Sequence, residues 1–66
     1  MAAADFSVRD EGSIFLLTPH TDEARAWVGE HIAEDAQQWG GAIVVEHRFI
    51  GDILAGIAAD GLSIAA

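Results

Sequence analysis

The sequence contains no cysteine, no lysine and no tyrosine, and it has a single proline. Without cysteine, no disulfide can form and no thiolate can act as a nucleophile or a metal ligand. A chain of 66 residues buries only about 60% of the surface of its unfolded form, so its stability is modest. We therefore expect one domain over residues 1–66, in which residues 1–4 are disordered.

Long apolar runs are also missing. The longest, such as Ile14 to Leu17, are far shorter than the roughly 20 residues that cross a bilayer. The first five residues have neither the basic residues nor the apolar stretch of a secretory signal peptide. These absences predict a cytoplasmic protein with no membrane segment.

Positive charge is scarce. The only basic side chains apart from histidine are Arg9, Arg25 and Arg48, against eleven carboxylates, and the formal net charge is −8. No cluster of arginine or lysine can displace counterions from phosphates, which excludes ordinary nucleic-acid binding, and the negative charge disfavours an anionic membrane. The partner favoured by this charge is a basic surface, such as the nucleic-acid groove of another protein. A halophilic source would also produce an acidic, lysine-free surface.

The first half of the chain has the pattern of a β-hairpin followed by a helix. Residues 6–9 alternate in polarity and predict a strand, residues 10–12 a turn in which Gly12 adopts positive φ, and residues 13–17 a second strand. Thr21 is the predicted N-cap of a helix that fades near Glu34. We expect the inner face of this helix to consist of Ala24, Val28, His31 and Ile32.

The second half predicts a loop over residues 35–41, a central strand over 42–46 and a helix from about 48 to 60. Gly61 is the expected C′ residue of that helix, and residues 62–64 form a short last strand. The resulting ββαβαβ order predicts an α+β fold, with a mixed sheet of three or four strands and two helices packed on one side.

Catalytic and metal-binding patterns are absent from the sequence. His31 and Glu34 lie one helical turn apart, but a third ligand at a recognisable spacing is missing. No serine lies in a Gly-x-Ser-x-Gly motif. Gly51 and Gly56 fall within the second helix, where they permit close packing rather than phosphate binding. The sequence therefore predicts a protein that is not an enzyme and needs no cofactor or metal.

Acidic residues are concentrated in the first 35 residues. Along the first helix, Glu23, Trp27, Glu30 and Glu34 share one line beside the inner face, since they are spaced at i, i+4, i+7 and i+11. The alternative interpretation of this line is an ordinary solvated helix face. Tryptophan is enriched at binding hot spots, and we expect Trp27 to be partly packed and Trp39 to be more accessible. The candidate partner-binding residues are Asp10, Glu11, Glu23, Trp27, Glu30, Glu34, Asp35 and Trp39.

The second helix is almost uncharged on its predicted outer face, which comprises Asp52, Ala55, Gly56 and Ala59. Small, uncharged surfaces of this kind can support self-association, which would also stabilise a marginal fold. The sequence is therefore compatible with a monomer or a weak homodimer.

The stretch from Gly12 to Leu62 (GSIFLLTPHTDEARAWVGEH, then DAQQWGGAIVVEHRFIGDILAGIAADGL) resembles short acidic proteins encoded by bacterial mobile elements and their hosts. In size, charge and organisation the chain also resembles phage anti-CRISPR proteins, in particular inhibitors of the type I-C system. This resemblance implies a cytoplasmic inhibitor in a host bacterial cell, which imitates DNA and occupies the basic groove of a Cas surveillance complex. Those proteins share no diagnostic motif, so the candidate residues above come from helical spacing alone.

A different class of function fits the same composition. The chain could serve as a small accessory or antitoxin-like interaction module of a mobile element, in which acidity confers solubility. Such a module would pair through the second helix, whereas the inhibitor would bind through the acidic line of the first helix.

Overall fold

A computed structural model of the protein describes residues 4–32 and 36–65. Over these residues, five strands form one mixed sheet in the order β3-β4-β2-β1-β5. Strand β5 runs parallel to β1, and the other neighbouring strands are antiparallel. The elements are β1 (Phe6–Asp10), β2 (Ile14–Pro19), α1 (Asp22–His31), β3 (Gln38–Trp39), β4 (Ala42–Glu46), α2 (His47–Ala59) and β5 (Ile64–Ala65).

The α+β class predicted from the sequence is confirmed, but the sheet has more strands than expected. The additional strand is β3, which lies in the segment predicted to be a loop. Two residues are too few to show the alternation that identifies a strand in a sequence. Of the residues expected to be disordered at the amino terminus, only Ala4 is among the described residues, where it precedes β1.

The amino-terminal hairpin forms where the sequence places it. Gly12 has a φ of 92°, a conformation that glycine adopts without steric cost. Its amide donates a hydrogen bond of 2.8 Å to the Asp10 carboxylate, and the amide of Glu11 donates to the carbonyl of Ile14. These bonds fix the turn between β1 and β2.

A second hairpin joins β3 to β4 through Gly40 and Gly41. Their φ angles are 58° and 82°, and a two-residue turn with positive φ at both positions is the type I′ geometry that suits the twist of paired strands. The turn places Trp39 directly opposite Ala42. The two glycines therefore allow this segment to form a strand paired with β4 instead of an irregular loop.

Helix α1 begins at the predicted cap. The Thr21 hydroxyl accepts a hydrogen bond of 3.1 Å from the amide of Ala24 and donates one of 2.7 Å to the Asp5 carboxylate. The helix ends at His31, because Ile32 already has extended backbone angles, and so it is shorter than predicted. Glu34 and Asp35 lie outside the described residues.

Helix α2 follows β4 without a loop and ends in a Schellman motif. The amide of Leu62 donates to the carbonyl of Ile57 at 3.2 Å, and the amide of Gly61 donates to the carbonyl of Ala58 at 3.0 Å. Gly61 has a φ of 81°, as a C′ residue in this motif requires. The prediction for Gly61 is confirmed.

The core lies between one face of the sheet and the two helices. Trp27 of α1 belongs to it, with its ring 5.9 Å from that of Phe6 in an edge-to-face contact. Both helices contribute to the same cluster, so the expectation that they pack on one side of the sheet holds for the described residues. The buried members are Phe6, Leu17, Ala24, Trp27, Ile43, Val45, Ile50 and Ile57.

Two predictions about the helix faces are wrong. His31 is not part of the buried face of α1: its side chain is 45% exposed and its ring stacks on that of Trp27 at 4.4 Å. Gly56 is not on the outer face of α2, because a Cβ atom there would lie 3.3 Å from Cζ2 of Trp27. Both errors have one cause, which is that the large indole of Trp27 occupies the space between the helices.

Candidate binding surface

A shallow cleft lined by carboxylates lies where α1 meets the end of α2. We call it the acidic cleft. It has a volume of about 640 Å³ and is lined by Glu23, Ala26, Trp27, Glu30, His31, Asp60 and Leu62. Its carboxylates come from two elements, because Glu23 and Glu30 lie on α1 whereas Asp60 is the C-cap of α2. The fold thus places negative charge on both sides of one concave surface.

Glu23 and Glu30 are exposed residues of the same helix. They are seven positions, or about two turns, apart, which corresponds to roughly 10.5 Å along the helix axis. The cleft contains both of them, and the spacing in the sequence predicted only that they share one side of the helix. Glu34, the third acid of the predicted line, lies outside the described residues.

Every arginine is already paired with a carboxylate close to it in the chain. Arg9 contacts Glu11 at 2.7 Å, Arg25 contacts Asp22 at 3.3 Å, and Arg48 contacts Glu46 at 3.3 Å. Exposed pairs of this kind contribute little to stability, but they neutralise charge locally. Within the described residues, Glu23 and Glu30 form no ion pair, so their charges at the acidic cleft are not compensated by an arginine.

The acids of the amino-terminal hairpin do not join this surface. Asp10 binds the amide of Gly12 in the turn, and Glu11 is paired with Arg9. The turn follows β1 at the end of the sheet where Ile14 lies opposite Glu46. Neither Asp10 nor Glu11 lines the acidic cleft, so the structure does not bring these two predicted binding residues together with Glu23 and Glu30.

The two tryptophans have different environments, as expected from the sequence. Trp27 is 6% exposed and Trp39 is 64% exposed. The indole Nε1 of Trp27 donates a hydrogen bond of 2.7 Å to Asp60, so it forms the floor of the cleft rather than an exposed anchor. Trp39 lies on β3 and is absent from the cleft. The predicted partner-binding set therefore does not form one continuous surface.

Asp60 is a residue of this site that the sequence did not indicate. It stands directly before Gly61, where its only visible role is to end α2. Its contacts are with α1: besides the bond from Trp27, its carboxylate lies 3.7 Å from Nε2 of His31. A signal for this contact could not be found in the sequence, because Trp27 and Asp60 are separated by 33 positions.

Asp5 has a structural role despite its negative charge. Its carboxylate accepts hydrogen bonds from the amide of Ser63 at 3.0 Å, from the Thr21 hydroxyl at 2.7 Å and from the Ser63 hydroxyl at 3.3 Å. These bonds, of which that from the Ser63 amide has the largest effect, lower the pKa of Asp5, while partial desolvation acts in the opposite direction. Asp5 thereby connects the start of β1 to the N-cap of α1 and to the approach to β5.

Within residues 4–32 and 36–65, no three histidine, cysteine or carboxylate side chains are placed to hold a metal ion together. No helix in this part of the chain has the length and apolar character needed to cross a membrane. Comparison with protein-family models, with curated proteins and with solved structures found no match to this chain.

Proposed function

We propose that this protein is a non-catalytic inhibitor that binds a basic, nucleic-acid-binding surface through its acidic cleft. The observation that carries the proposal is the distribution of charge. All three arginines are paired with nearby carboxylates, whereas Glu23 and Glu30 have no such partner among the described residues and face solvent beside Asp60. A negative potential focused on one concave surface attracts a basic partner and speeds its association.

The proposed partner is a type I Cas surveillance complex, which the resemblance in sequence suggests. Such a complex presents a basic groove to DNA, and a protein with a net charge of −8 can occupy the groove in place of phosphates. The acidic cleft supplies carboxylates from two elements, so it can contact basic side chains on either side of its floor. Binding in this way requires no catalytic group and no cofactor.

The decisive experiment compares two charge reversals of equal size. Glu30→Lys alters the acidic cleft, and Asp52→Lys alters an exposed position of α2 that does not line it. Each substitution changes the net charge by the same amount, so the comparison separates local from total charge. Affinity for the purified surveillance complex would be measured at low and at high salt, together with the ability to block target-DNA binding.

We expect the unmodified protein to block DNA binding, with an affinity that falls as salt rises. Glu30→Lys should weaken binding about tenfold or more, corresponding to about 1.4 kcal/mol, and Glu23→Lys combined with it should weaken binding further. The affinity of Asp52→Lys should remain within about threefold of that of the unmodified protein. A charge outside the contact acts only at long range. Equal losses for Glu30→Lys and Asp52→Lys would contradict a role for the cleft, and no binding at low salt would exclude this partner.

A second candidate function is a protein-interaction module of a mobile element, in which acidity serves solubility. The exposed aromatic residues favour it: Trp39 and Phe49 are 64% and 48% exposed, and exposed aromatics are enriched in protein interfaces. Such a module would keep its partner after Glu23→Lys and Glu30→Lys, whereas the inhibitor would lose it.

A further inference from the structure

The sheet has a second face that the helices do not cover. Residues paired directly across strands share a face, so Leu16 lies beside Val44, and Trp39 lies beside Ala42. Ile14 belongs to the same face, since it is two positions from Leu16 on β2. None of these side chains belongs to the core cluster or packs against it, and one of them, Ala42, is buried at 6% exposure. We call this set, Ile14, Leu16, Trp39, Ala42 and Val44, the open sheet face.

The composition of the open sheet face is unusual for a surface exposed to water. Antiparallel sheets that are covered on one side normally carry polar residues on the other. Here the central positions of β2 and β4 are Leu16 and Val44, both only partly buried, and Trp39 is 64% exposed. An exposed tryptophan beside partly buried apolar residues is typical of an interaction site.

The charges around this face cancel. Arg9 lies opposite Leu16 and pairs with Glu11 at 2.7 Å, while Glu46 lies opposite Ile14 and pairs with Arg48 at 3.3 Å. Of the acids without an arginine partner, Glu23 and Glu30 line the acidic cleft on the helix side of the molecule. Two copies of an acidic protein repel each other least through a surface whose charges are already neutralised, whereas a basic partner would gain little there.

The size of the molecule sets an upper limit on the area of this interface. The molecule measures 32 × 23 × 23 Å, so its broad face offers at most about 740 Å², close to the roughly 800 Å² per partner of a standard interface. The added burial would also support a 66-residue chain whose single core is small. The interface reaches this size only if it extends beyond the five residues of the open sheet face over nearly all of that side of the molecule.

We propose that two copies of this chain associate through their open sheet faces to form a two-fold symmetric dimer. Leu16 and Val44 lie at the centre of the interface, and Trp39 of each copy anchors it near the edge. The sheets pack face to face, as in a β-sandwich, and the same residues of both copies meet, as the symmetry requires. This inference does not depend on the proposed function, because the acidic clefts stay on the outer, helix side of the pair.

The test is sedimentation equilibrium of the full chain over a range of concentrations. Trp39→Ala removes the anchor, and Phe49→Ala removes the other exposed aromatic, which lies on the helix side near Ile43 and Ile53. Trp39→Ala should weaken dimerisation about tenfold or more, as for a hot-spot tryptophan, while Phe49→Ala should change it less than about threefold. Far-UV circular dichroism establishes that both variants are folded.

Salt distinguishes this association from binding to a basic surface. The dimer joins two chains of net charge −8, so screening should strengthen it as salt rises, whereas binding through the acidic cleft should weaken. A chain that stays monomeric at millimolar concentration and high salt would overturn the proposal and leave the face for a different protein. A dimer that Trp39→Ala does not weaken would also overturn it.

Discussion

Nε1 of Trp27 donates a hydrogen bond of 2.7 Å to Oδ2 of Asp60, which joins the middle of α1 to the end of α2. A carboxylate at a helix C-terminus is unfavourable, because it faces the negative end of the helix dipole. The bond from the buried indole offsets this cost. It also holds the floor of the acidic cleft in place, since both residues line it.

Replacing Asp60 with alanine should destabilise the fold. The substitution leaves the Trp27 N–H without its acceptor, which costs about 1–2 kcal/mol for a largely buried donor. Asp60→Asn retains an acceptor oxygen and removes the charge that opposes the helix dipole, so we expect a change within about 0.5 kcal/mol. Urea denaturation, monitored by circular dichroism, gives the change in the free energy of unfolding for both variants. Asp52→Ala, at an exposed position of the same helix, is the control, and an equal effect of Asp52→Ala and Asp60→Ala would show that the bond contributes nothing.

Gly51 and Gly56 of α2 are a matched pair of sites for substitution by alanine, because only Gly56 has a close neighbour. Alanine is favoured over glycine inside a helix by about 1 kcal/mol, and a Cβ atom at Gly51 would have no neighbour within 4 Å. Gly51→Ala should therefore stabilise the protein by up to about 1 kcal/mol. At Gly56 the added atom would lie 3.3 Å from Trp27, whose ring is held by Phe6 and Asp60.

The crowding at Gly56 should outweigh the gain in helix propensity. Overpacking a core costs about 1–3 kcal/mol, so we expect Gly56→Ala to lower the free energy of unfolding by about 1 kcal/mol. Thermal melts of the two variants should shift in opposite directions. If Gly56→Ala were as stable as Gly51→Ala, the indole of Trp27 would have to move freely in its site.

Asp5 should make stability depend on pH in the acid range. Its carboxyl has a lowered pKa in the folded protein because the Ser63 amide and the Thr21 hydroxyl donate to the charged form. A group whose pKa is lower when folded contributes stability above its unfolded value of about 3.9. That contribution is lost as the pH falls through the lower, folded value.

Asp5→Asn should remove this part of the pH dependence. The variant should be less stable than the unmodified protein at pH 7, and the two should converge as the pH falls below about 4. Denaturation at a series of pH values measures the difference. Asp52→Asn should leave the pH dependence of the free energy of unfolding almost unchanged. If Asp5→Asn and the unmodified protein differed in this free energy by the same amount at all pH values, the assigned role of the Asp5 charge would be contradicted.

Local chemistry made much of the fold predictable. Thr21 and Gly61 were identified because capping depends on residues next to each other in the chain, and the strand over residues 42–46 matches β4. Strand β3 was missed, since its existence depends on pairing across the Gly40–Gly41 turn. Helical spacing gives the direction in which a side chain leaves α1 but not the residues that it contacts. The position of Trp27 could therefore not be predicted from it.

The candidate site was predictable only in part, for the same reason. Glu23 and Glu30 share a face of one helix, which spacing reveals. Asp60 reaches the cleft through tertiary packing, which no pattern within one element can show. The pairing of Arg9 with Glu11 had a usable signal, because residues two apart along an extended segment share a side. It would have indicated that Glu11 is neutralised rather than available.

The Gly40–Gly41 turn, which follows Trp39, should tolerate a substitution at Gly40 and be destabilised by one at Gly41. Gly40 has a φ of 58° and Gly41 one of 82°, and Asn-Gly is a favoured sequence for this turn type. Gly40→Asn should therefore change stability by less than about 0.5 kcal/mol. Gly41→Val places a β-branched residue at positive φ, which costs about 1–2 kcal/mol.

The effect of Gly41→Val should be concentrated at the hairpin. Its strain is relieved most easily by separating β3 from β4, which would release the bond from the Val44 amide to the Gln37 carbonyl, now 2.9 Å. Hydrogen exchange should show faster exchange at Val44 in Gly41→Val than in Gly40→Asn. Because Trp39 lies opposite Ala42 only while this hairpin is formed, Gly41→Val should also weaken self-association, whereas Gly40→Asn should preserve it. Unchanged exchange at Val44 in both variants would show that the turn does not hold Trp39 on the open sheet face.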